Sequence, residues 1–367
     1  IFTVCGVYLS TMSAHIGIRD TVSAGEHTSD GIYSPAKEKA ANRGPYASRS
    51  PLLPRRFRQL VTAAKLRIFL GLCVLCAVVL FTSRISSFMG WKPHYPSSAF
   101  SSSRGGYTII INTWKRYSLL KQSIAHYASC SGTDAIHVVW SESDPPSESL
   151  TVDIKKIVVS KSQKIHKPYF RFELNEEDDL NNRFKPLEDI KTDAIFSVDD
   201  DVLIPCLTLD FAFTTWQSAP LTMVGFVPRM HWPDEKKNGL AYYKYGGWWS
   251  VWWMGSYSMV LSKAAFFHKK YLNLYTSEMP SSIRDYVSRE RNCEDIAMSL
   301  LVANATGAPP VWVKGKIYEI GSTGISSLKG HNKIRNKCLN DFVSLYGVMP
   351  LVSTNSKAVD ARQEWLW

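Results

Sequence analysis

Three consecutive acidic residues, Asp199, Asp200 and Asp201, follow an apolar run at residues 194–198. The run predicts a buried strand, so three carboxylates gather where that strand reaches the surface. A hard divalent cation relieves the repulsion between them, and Mg²⁺ or Mn²⁺ typically shares its ligands between carboxylates and a diphosphate. We therefore predict a metal site that stabilises a departing phosphate by Lewis-acid chemistry, with an ordinary acidic surface turn as the alternative.

A second acidic pair, Glu294 and Asp295, comes directly after Asn292 and Cys293. Asn292 is typical of a helix N-cap, and acids in the first turn complement the positive end of the helix dipole. The pattern predicts a helix over residues 295–302. From these residues alone, helix capping is the simpler interpretation and a catalytic role for the acids is the alternative.

Two possible cations, His331 and Arg335, are four residues apart and would share one face of a helix. Such a pair suits a pyrophosphate, because the planar guanidinium of an arginine can bind two phosphate oxygens at once. Lys329, Lys333 and Lys337 surround the pair, so a solvated basic surface is the alternative.

Four tryptophans, Trp248, Trp249, Trp252 and Trp253, lie close together after two glycines. Aromatic faces commonly stack on sugar rings, and tryptophan also favours membrane interfaces. The alternative is a purely structural role, in which the indoles pack into the core. The functional hypothesis is an acceptor site at which the indoles stack on a sugar.

Between these residues the sequence contains short β-rich runs that are separated by helix-length intervals. This alternation predicts an α/β domain with a largely parallel sheet, in which ligands bind beyond the carboxyl ends of the strands, near a topological switch point. Polar residues that follow the first two strands are therefore further candidates: Asn112, Arg116, Ser141 and Glu142. The expected strands are residues 107–112, 135–140, 156–159, 194–198, 223–227, 257–261 and 311–313.

The N-terminal part of the chain predicts a membrane anchor. An uncharged run of fourteen residues, 68–81, follows a cluster of cations. Such a helix rises about 21 Å against a hydrocarbon core of about 30 Å, so the predicted span extends over residues 65–89. Cations before the span place residues 1–64 in the cytosol and the remainder in a lumen. Residues 90–106 have the composition of a stem linker, and the folded domain is expected over residues 107–367. A buried core helix is the alternative to a span.

The charge and the cysteine content of the chain exclude some classes of function. The net charge is +11, but residues 1–90 alone hold 11 Lys/Arg and 4 Asp/Glu, so most of the excess lies outside the predicted folded domain. The remainder is ordinary for an enzyme with anionic diphosphate substrates, and nucleic-acid binding is not expected. The seven cysteines form no zinc-binding pattern, and the four after residue 90 would face an oxidising lumen where disulfides persist. There the sequon at Asn304 would also be available for glycosylation.

In order and spacing, six segments resemble the exostosin-like glycosyltransferases of family 64: residues 110–116, 180–184, 198–201, 225–229, 257–261 and 292–298. The resemblance implies a GT-A-like α/β domain with a mixed, largely parallel sheet. It implies a retaining, Mn²⁺-dependent transferase, with Mg²⁺ possible. Together with the predicted anchor, whose orientation follows from its flanking cations, this predicts a single-pass type II protein of the Golgi membrane. Within the family the chain is most similar to the plant branch, whose members transfer mannose from GDP-mannose onto glycosyl inositol phosphorylceramides, which are membrane glycolipids. The alternatives are N-acetylhexosamine transfer from a UDP-sugar, a noncatalytic Golgi lectin or scaffold, and a metal-dependent phosphohydrolase.

Residue by residue, the resemblance also implies roles. It makes Asp295 the carboxylate that faces the sugar and Arg335 its catalytic partner on the phosphate side, and it implies a disulfide between Cys293 and Cys338. Asp199 and Asp201 would bind the metal. The implied donor-binding residues are Asn112, Arg116, Asn181, Arg183, Asp199, Asp200, Glu294 and His331. Ser141 stands where animal members tend to carry asparagine near the base, which leaves the nucleotide open.

Overall fold

A computed structural model describes residues 55–88, 105–234, 242–321 and 331–363 of the 367-residue chain. The chain divides into two compact units, Ile1–His94 and Tyr95–Trp367, and each is described by itself. Most of the predicted cytosolic segment and of the predicted stem lies outside the described residues.

The first unit contains one described helix, α1 (Arg55–Phe88). Its stretch Lys65–Thr82 has a mean hydropathy of 2.2, and none of that stretch is buried. By length and composition it is able to cross a membrane. The helix begins ten residues before the predicted span, because the basic segment that precedes the apolar run is helical as well.

The second unit is built on an eight-stranded sheet with the strand order β13-β11-β6-β10-β4-β1-β2-β3. Its first strands and helices alternate as β1 (Tyr107–Thr113), α2 (Tyr117–Ala128), β2 (Thr133–Trp140), α3 (Glu148–Lys161), β3 (Tyr169–Leu174), a 3-10 helix (Leu180–Phe184) and β4 (Ala194–Asp199). The middle of the unit comprises β5 (Val202–Leu203), α4 (Cys206–Ser218), β6 (Val224–Gly225), β7 (Pro228–Asp234), β8 (Tyr242–Gly246), α5 (Trp248–Met254), β9 (Met259–Val260) and β10 (Ala264–His268). The last described elements are α6 (Lys270–Ser277), α7 (Ser281–Glu290), α8 (Glu294–Thr306), β11 (Val311–Lys314), β12 (Tyr318–Glu319), α9 (His331–Tyr346), β13 (Lys357–Val359) and a 3-10 helix (Ala361–Gln363).

The predicted fold class, α/β with a mixed and largely parallel sheet, is confirmed. Strand β10 runs antiparallel to β4 and β6, and the other neighbours in the sheet are parallel. Apolar side chains pack on both faces: Ile110 points into one core, whereas Ile109 and Ile111 point into the other. This alternation is the two-residue period of a strand buried on both sides, where each isoleucine contributes about 1.5–3 kcal/mol.

One predicted strand is wrong. Residues 156–159 belong to helix α3, although the run is rich in β-branched side chains. Leu150, Ile154 and Val158 recur every four residues and are buried, and the Ser147 hydroxyl caps the helix by accepting from the Leu150 N–H at 3.2 Å. The strand that follows β2 in the sheet is β3.

The order of the strands fixes the position of the site. The chain adds β2 and β3 on one side of β1 and then crosses to place β4 on the other side. The switch point therefore lies between β1 and β4, where Asn112 is directly opposite Asp199. The Asp200 N–H donates to the Asn112 carbonyl at 3.2 Å, which ties the aspartates to the end of β1.

Candidate active site

The first aspartate of the turn, Asp199, ends β4 and faces a buried arginine. Its Oδ1 accepts a hydrogen bond from Arg183 Nη2, and Arg183 Nη1 donates to the Ser262 hydroxyl at 3.3 Å. Burial would lower the pKa of Arg183, but the neighbouring Asp199 and Glu294 carboxylates outweigh it and raise that pKa. Arg183 thus remains a buried cation close to both acidic segments.

The middle aspartate, Asp200, is fully buried. Thr113 Oγ1 donates to its Oδ2 at 2.6 Å, and the Arg116 guanidinium contacts both of its oxygens. Burial raises the pKa of Asp200 to about 6, although Thr113 and Arg116 act in the opposite direction. Its carboxylate points into the protein and holds Arg116, and the expectation that Asp200 binds the donor stays a prediction.

The third aspartate, Asp201, turns back toward solvent. Arg116 Nη1 donates to its Oδ2 at 2.8 Å, and its carbonyl accepts from the Ile320 N–H at 2.8 Å. A Cβ at Gly321 would lie only 2.8 Å from the Asp201 Cβ, so this approach requires a glycine. The side chains of Asp199 and Asp201 are 26% and 20% exposed. Two outward-facing carboxylates with hard oxygen donors fit a divalent cation.

A buried ion pair lies at the start of α8. Asp295 Oδ2 accepts from Arg335 Nη2 at 2.7 Å, and Asp295 Oδ1 accepts from the Ile296 N–H at 2.7 Å. Arg335 Nη1 also donates to the Tyr245 hydroxyl at 2.8 Å. Burial would lower the pKa of Arg335, but Asp295 and Tyr245 raise it more, so the guanidinium stays charged. The contacts of this pair orient the Asp295 carboxylate.

Glu294 connects the two acidic segments electrostatically. Burial of its carboxyl, followed by the neighbouring Asp295, raises the pKa of Glu294 to about 7, whereas Arg183 and Arg335 oppose the rise. Arg183 also binds Asp199. Residues 199–201, which we call the aspartate turn, therefore belong to one site with the start of α8.

The turn before α8 has an unusual backbone. Arg291 and Cys293 have φ angles of 49° and 76°, the left-handed region that non-glycine residues seldom adopt. The N-cap is Cys293 and not Asn292 as predicted; Asn292 Oδ1 instead accepts from the Cys293 N–H at 2.8 Å. The structure contains the disulfide implied by the resemblance, which joins this turn to Cys338 on α9 with 6.4 Å between the Cα atoms.

A second disulfide was not predicted. Cys130 at the end of α2 is bonded to Cys206 at the start of α4, with 5.1 Å between the Cα atoms. His126 lies beside both sulfurs, but thiols joined in a disulfide are not metal ligands. The signal was available, because pairing Cys293 with Cys338 leaves only these two cysteines in the folded domain.

Two other residues, Asn181 and His331, were also expected to bind the donor. Asn181 is buried; its amide donates to Asp179, the Arg284 carbonyl and Ser288, and its Oδ1 accepts from Tyr275. Its polar atoms are all engaged by the protein, and the expectation that Asn181 contacts the donor stays a prediction. The His331 side chain lies outside the described part of the chain, so its phosphate-side role stays a prediction.

The two candidates after β2 organise neighbouring loops. Ser141 is buried and its hydroxyl accepts from Asn182 Nδ2 at 3.0 Å. The Glu142 carboxylate accepts from the Lys115 N–H at 2.8 Å and from the Tyr117 hydroxyl at 2.7 Å. These bonds fix the loop between β1 and α2, which carries Arg116.

A cleft of about 550 Å³ opens beside the aspartate turn. The Lys263 carbonyl accepts from the Asp199 N–H at 3.2 Å, so the Lys263 edge of the cleft adjoins the turn. Trp248 packs edge-to-face on Trp312 with 5.6 Å between ring centres. The cleft is lined by Phe226, Val227, Pro228, Arg229, Trp248, Lys263, Trp312, Lys314, Gly315, Ile317 and Glu319.

The four tryptophans of α5 separate into two groups. Trp248 lines the cleft, whereas Trp249, Trp252 and Trp253 do not, and these three are 76%, 63% and 81% exposed. The alternative that the indoles pack into the core is wrong for these three. A shared acceptor role for all four is not supported by the lining of the cleft.

Sequence reasoning missed several residues of the site. Thr113 fixes Asp200, Tyr245 holds Arg335, and Trp312 forms a wall of the cleft. Thr113 follows Asn112 at the end of a predicted strand, which is a usable signal. Tyr245 and Trp312 come from distant segments, and no spacing in the sequence connects them to the site.

Comparison with known proteins identifies relatives over the folded unit. Residues 107–365 match the glycosyl transferase family 64 domain. Glycosylinositol phosphorylceramide mannosyl transferase 1 of Arabidopsis thaliana is 57% identical over 315 residues, which cover 85% of this chain and 94% of that protein. Exostosin-2 of Mus musculus is 35% identical over 266 residues, which cover 69% of this chain and 34% of that protein.

A solved structure, a mannosyltransferase from Pyrobaculum calidifontis in complex with GDP-Man and Mn²⁺, matches with a TM-score of 0.39 and 13% identity over 73% of this chain and 70% of that chain. A similarity of this degree carries no argument about the ligands of the present protein.

Proposed function

This chain belongs to glycosyl transferase family 64, and we propose that it transfers mannose from GDP-mannose to the headgroup of a glycosyl inositol phosphorylceramide. The 57% identity to a plant mannosyl transferase of that name, over 94% of its length, supports the sugar and the acceptor. The observation that carries the proposal is the buried Arg183 between a partly exposed aspartate turn and the buried Asp295–Arg335 pair. Arg183 binds Asp199, and the charges of Glu294 and Asp295 help to raise its pKa. Glycosyl transfer needs both a site for the leaving diphosphate and a carboxylate for the sugar.

Asp199 and Asp201 would hold a divalent cation, with Mn²⁺ preferred and Mg²⁺ possible. When bound, the ion supplies Lewis-acid stabilisation of the diphosphate leaving group. Arg116 and Arg183 stand beside these carboxylates and place two positive charges where a diphosphate would lie. Asn112, at the end of β1, is proposed to contact the nucleotide, and Glu294 is proposed to line the donor side.

Asp295 is proposed to face the anomeric carbon, where its negative charge stabilises an oxocarbenium-like state or acts as a nucleophile. Arg335 and the Ile296 N–H each hold one carboxylate oxygen, so the side chain is oriented before substrate binds. The family resemblance implies retention of anomeric configuration in either case.

The acceptor headgroup is proposed to occupy the cleft beside the aspartate turn. Trp248 and Trp312 offer indole surface for a sugar ring, and Arg229, Lys263 and Lys314 outnumber Glu319 among the charged residues that line it. A cationic and aromatic cleft suits a sugar that carries a phosphoryl group.

We also propose that α1 anchors the enzyme in the Golgi membrane as a single-pass type II protein with its catalytic unit in the lumen. The apolar stretch Lys65–Thr82 and the disulfide-bonded cysteines support this arrangement. Asn304 is exposed and offers a test. In cells, an Asn304→Gln variant should lose a glycosidase-sensitive mass increment, and a wild type without any such increment would argue against lumenal exposure.

The donor is tested by incubating the solubilised full-length enzyme with Mn²⁺ and either GDP-mannose or UDP-N-acetylglucosamine. We expect metal-dependent release of GDP that an Asp201→Asn variant abolishes. Release of UDP would instead support N-acetylhexosamine transfer of the exostosin type. If neither donor is turned over, even after acceptor lipid is added, the noncatalytic alternative gains support.

A further inference from the structure

Helix α5 presents an exposed aromatic surface that the proposed chemistry does not use. Trp249, Trp252 and Trp253 are 76%, 63% and 81% exposed, and Met254 is half exposed beside them. Together the three indoles present on the order of 500 Å² of apolar surface, the size at which an exposed patch on a monomer is often functional. We call these three residues and Met254 the tryptophan patch.

The tryptophan patch is held rigidly with its indoles outward. Val251 is the buried residue of α5, and the helix packs on β7 and β8. The Gly255 N–H donates to the Val251 carbonyl at 2.9 Å, and Gly255 ends the helix at a positive φ of 67°. A Cβ at Gly246 would lie 2.7 Å from the Ser250 Cβ, so the strand before the helix approaches it closely. This packing sets which face of α5 is turned outward, and that face carries the three indoles.

The surroundings of the patch indicate the chemistry of its partner. Trp248, on the same helix, lines the cleft together with Arg229, Lys263 and Lys314. A partner that covers α5 therefore meets apolar indoles on one side and cations on the other. A lipid surface has this complementary character, because acyl chains and anionic phosphates lie within a few ångströms of each other. Tryptophan in particular favours the interface between acyl chains and headgroups.

We propose that Trp249, Trp252 and Trp253 insert into the lipid–water interface of the membrane and bring the adjoining cleft to a lipid headgroup. The role of the cleft in this inference rests on the proposed glycolipid acceptor, whereas insertion of the indoles does not. The proposal separates Trp248, which contacts the acceptor, from the three tryptophans that contact the bilayer.

Insertion is tested with the full chain reconstituted in phosphatidylcholine and phosphatidylinositol vesicles that carry bromine on the upper acyl chain. Bromine quenches nearby indoles, and a variant with Trp249, Trp252 and Trp253 all changed to serine lacks three of the twelve tryptophans. We expect the bromine-dependent loss of emission to be smaller in the variant than in wild type. An equal loss in the two proteins would overturn the proposal. A Trp114→Ser variant, which removes an exposed tryptophan elsewhere, should be quenched like wild type.

Activity supplies a second measurement. The ratio of transfer onto acceptor lipid in the bilayer to transfer onto a short-chain, water-soluble acceptor should fall about tenfold in the triple serine variant. A matched control replaces three exposed apolar residues elsewhere, Val159, Ile165 and Leu174, with serine and should keep the wild-type ratio. Equal melting temperatures establish that the variants are folded.

The outcomes separate the two proposals. If wild type releases GDP but the ratio is unchanged in the triple variant, the membrane contact is wrong and the mannosyl transfer stands. If wild type uses only a UDP-sugar and bromine quenching still depends on the patch, the donor is wrong and the membrane contact stands. If the triple variant instead converts a dimer into a monomer without any change in quenching, the patch contacts a second copy of the chain and the inference is overturned.

Discussion

Arginine–aspartate contacts in two regions define the proposed site, and the regions differ in how completely the protein satisfies the carboxylates. At the aspartate turn, Asp199 and Asp201 contact Arg183 and Arg116 but keep part of each side chain exposed to solvent. At the start of α8, Asp295 is buried, and Arg335 and the Ile296 N–H hold its two oxygens. The first arrangement can exchange protein partners for a cation, whereas the second is preorganised and closed. We infer that binding of the leaving group and stabilisation of the sugar are assigned to different carboxylates.

Removing the negative charge of the Asp295–Arg335 pair, which we call the closed pair, should reduce turnover more than any other change. An Asp295→Asn variant keeps the size of the side chain but loses the negative charge, so we expect turnover to fall on the order of 10³-fold. The dissociation constant for GDP-mannose should change much less, because the aspartate turn is intact. Steady-state kinetics and calorimetric donor binding measure the two quantities. Asp285→Asn, at an exposed position on α7, is the matched control.

Loss of Asp295 also leaves Arg335 without its buried partner, so the melting temperature must be measured alongside the kinetics. A folded Asp295→Asn protein with nearly normal turnover would remove this carboxylate from the chemistry. The same protein with weak donor binding and normal turnover would mean that the roles of the turn and the closed pair are reversed.

The two disulfides differ in their relation to the site, because only one of them supports the closed pair. Changing Cys293 and Cys338 to serine opens a loop with a sequence separation of 45, and we expect a loss of about 4 kcal/mol in unfolding free energy from loop closure alone. Turnover at a temperature where the variant is folded should fall as well, since the disulfide joins the turn before Asp295 to the helix that carries Arg335.

The pair Cys130 and Cys206 is the control within the chain. Changing both to serine should reduce the denaturation midpoint by a comparable amount, because the closed loop has a sequence separation of 76. Turnover of the folded protein should stay close to wild type. Equal losses of turnover in the two double variants would show that general stability, and not the position of the disulfide, controls the activity.

At the aspartate turn, an Asp201→Asn variant should weaken binding of GDP in the presence of Mn²⁺ by about 100-fold, or about 3 kcal/mol. When a chelator removes Mn²⁺, the variant and wild type should bind GDP with equal affinity, because the missing metal ligand then has no metal to bind. Asp193→Asn, just before β4 at the opposite end of the strand, should bind like wild type. A metal-independent loss would mean that Asp201 acts on the nucleotide through Arg116.

The two regions also differ in how far the sequence predicts them. An apolar run followed by three acidic residues predicts that carboxylates gather where the strand ends, and Asp199 and Asp201 are partly exposed there. The burial of Asp200 could not be predicted from the two-residue period of a strand, because β4 ends at Asp199 and Asp200 lies in the turn that follows. The closed pair was reached only through the family resemblance, because Tyr245, Asp295 and Arg335 come from three distant segments.

Helix α3 shows that the prediction of secondary structure from sequence is limited in the same way. Residues 157–159 are β-branched and favour a strand locally, but Ile154 and Val158 bury one face of a helix against the sheet. Tertiary packing decided the outcome, and a four-residue window cannot detect it. A longer window that included Leu150 and the cap at Ser147 would have favoured the helix.

Charged groups of both regions act on Glu294. Its protonation therefore tests whether the charges of one region affect the other. Burial and the neighbouring Asp295 raise the pKa of Glu294 to about 7 from its ordinary 4.5. Between these values the folded protein binds more protons than the unfolded chain, so this contribution to stability is complete below pH 4.5 and is lost as the pH rises through 7. Relative to a Glu294→Gln variant, the unfolding free energy of wild type should therefore fall on the order of 2–3 kcal/mol between pH 4.5 and 8.

Urea denaturation of both proteins across that range measures the difference in unfolding free energy. The curve for a Glu148→Gln variant, changed on α3, should run parallel to that of wild type. Parallel curves for wild type and Glu294→Gln would mean that Arg183 and Arg335 already neutralise this carboxyl, and that the aspartate turn and the closed pair titrate independently.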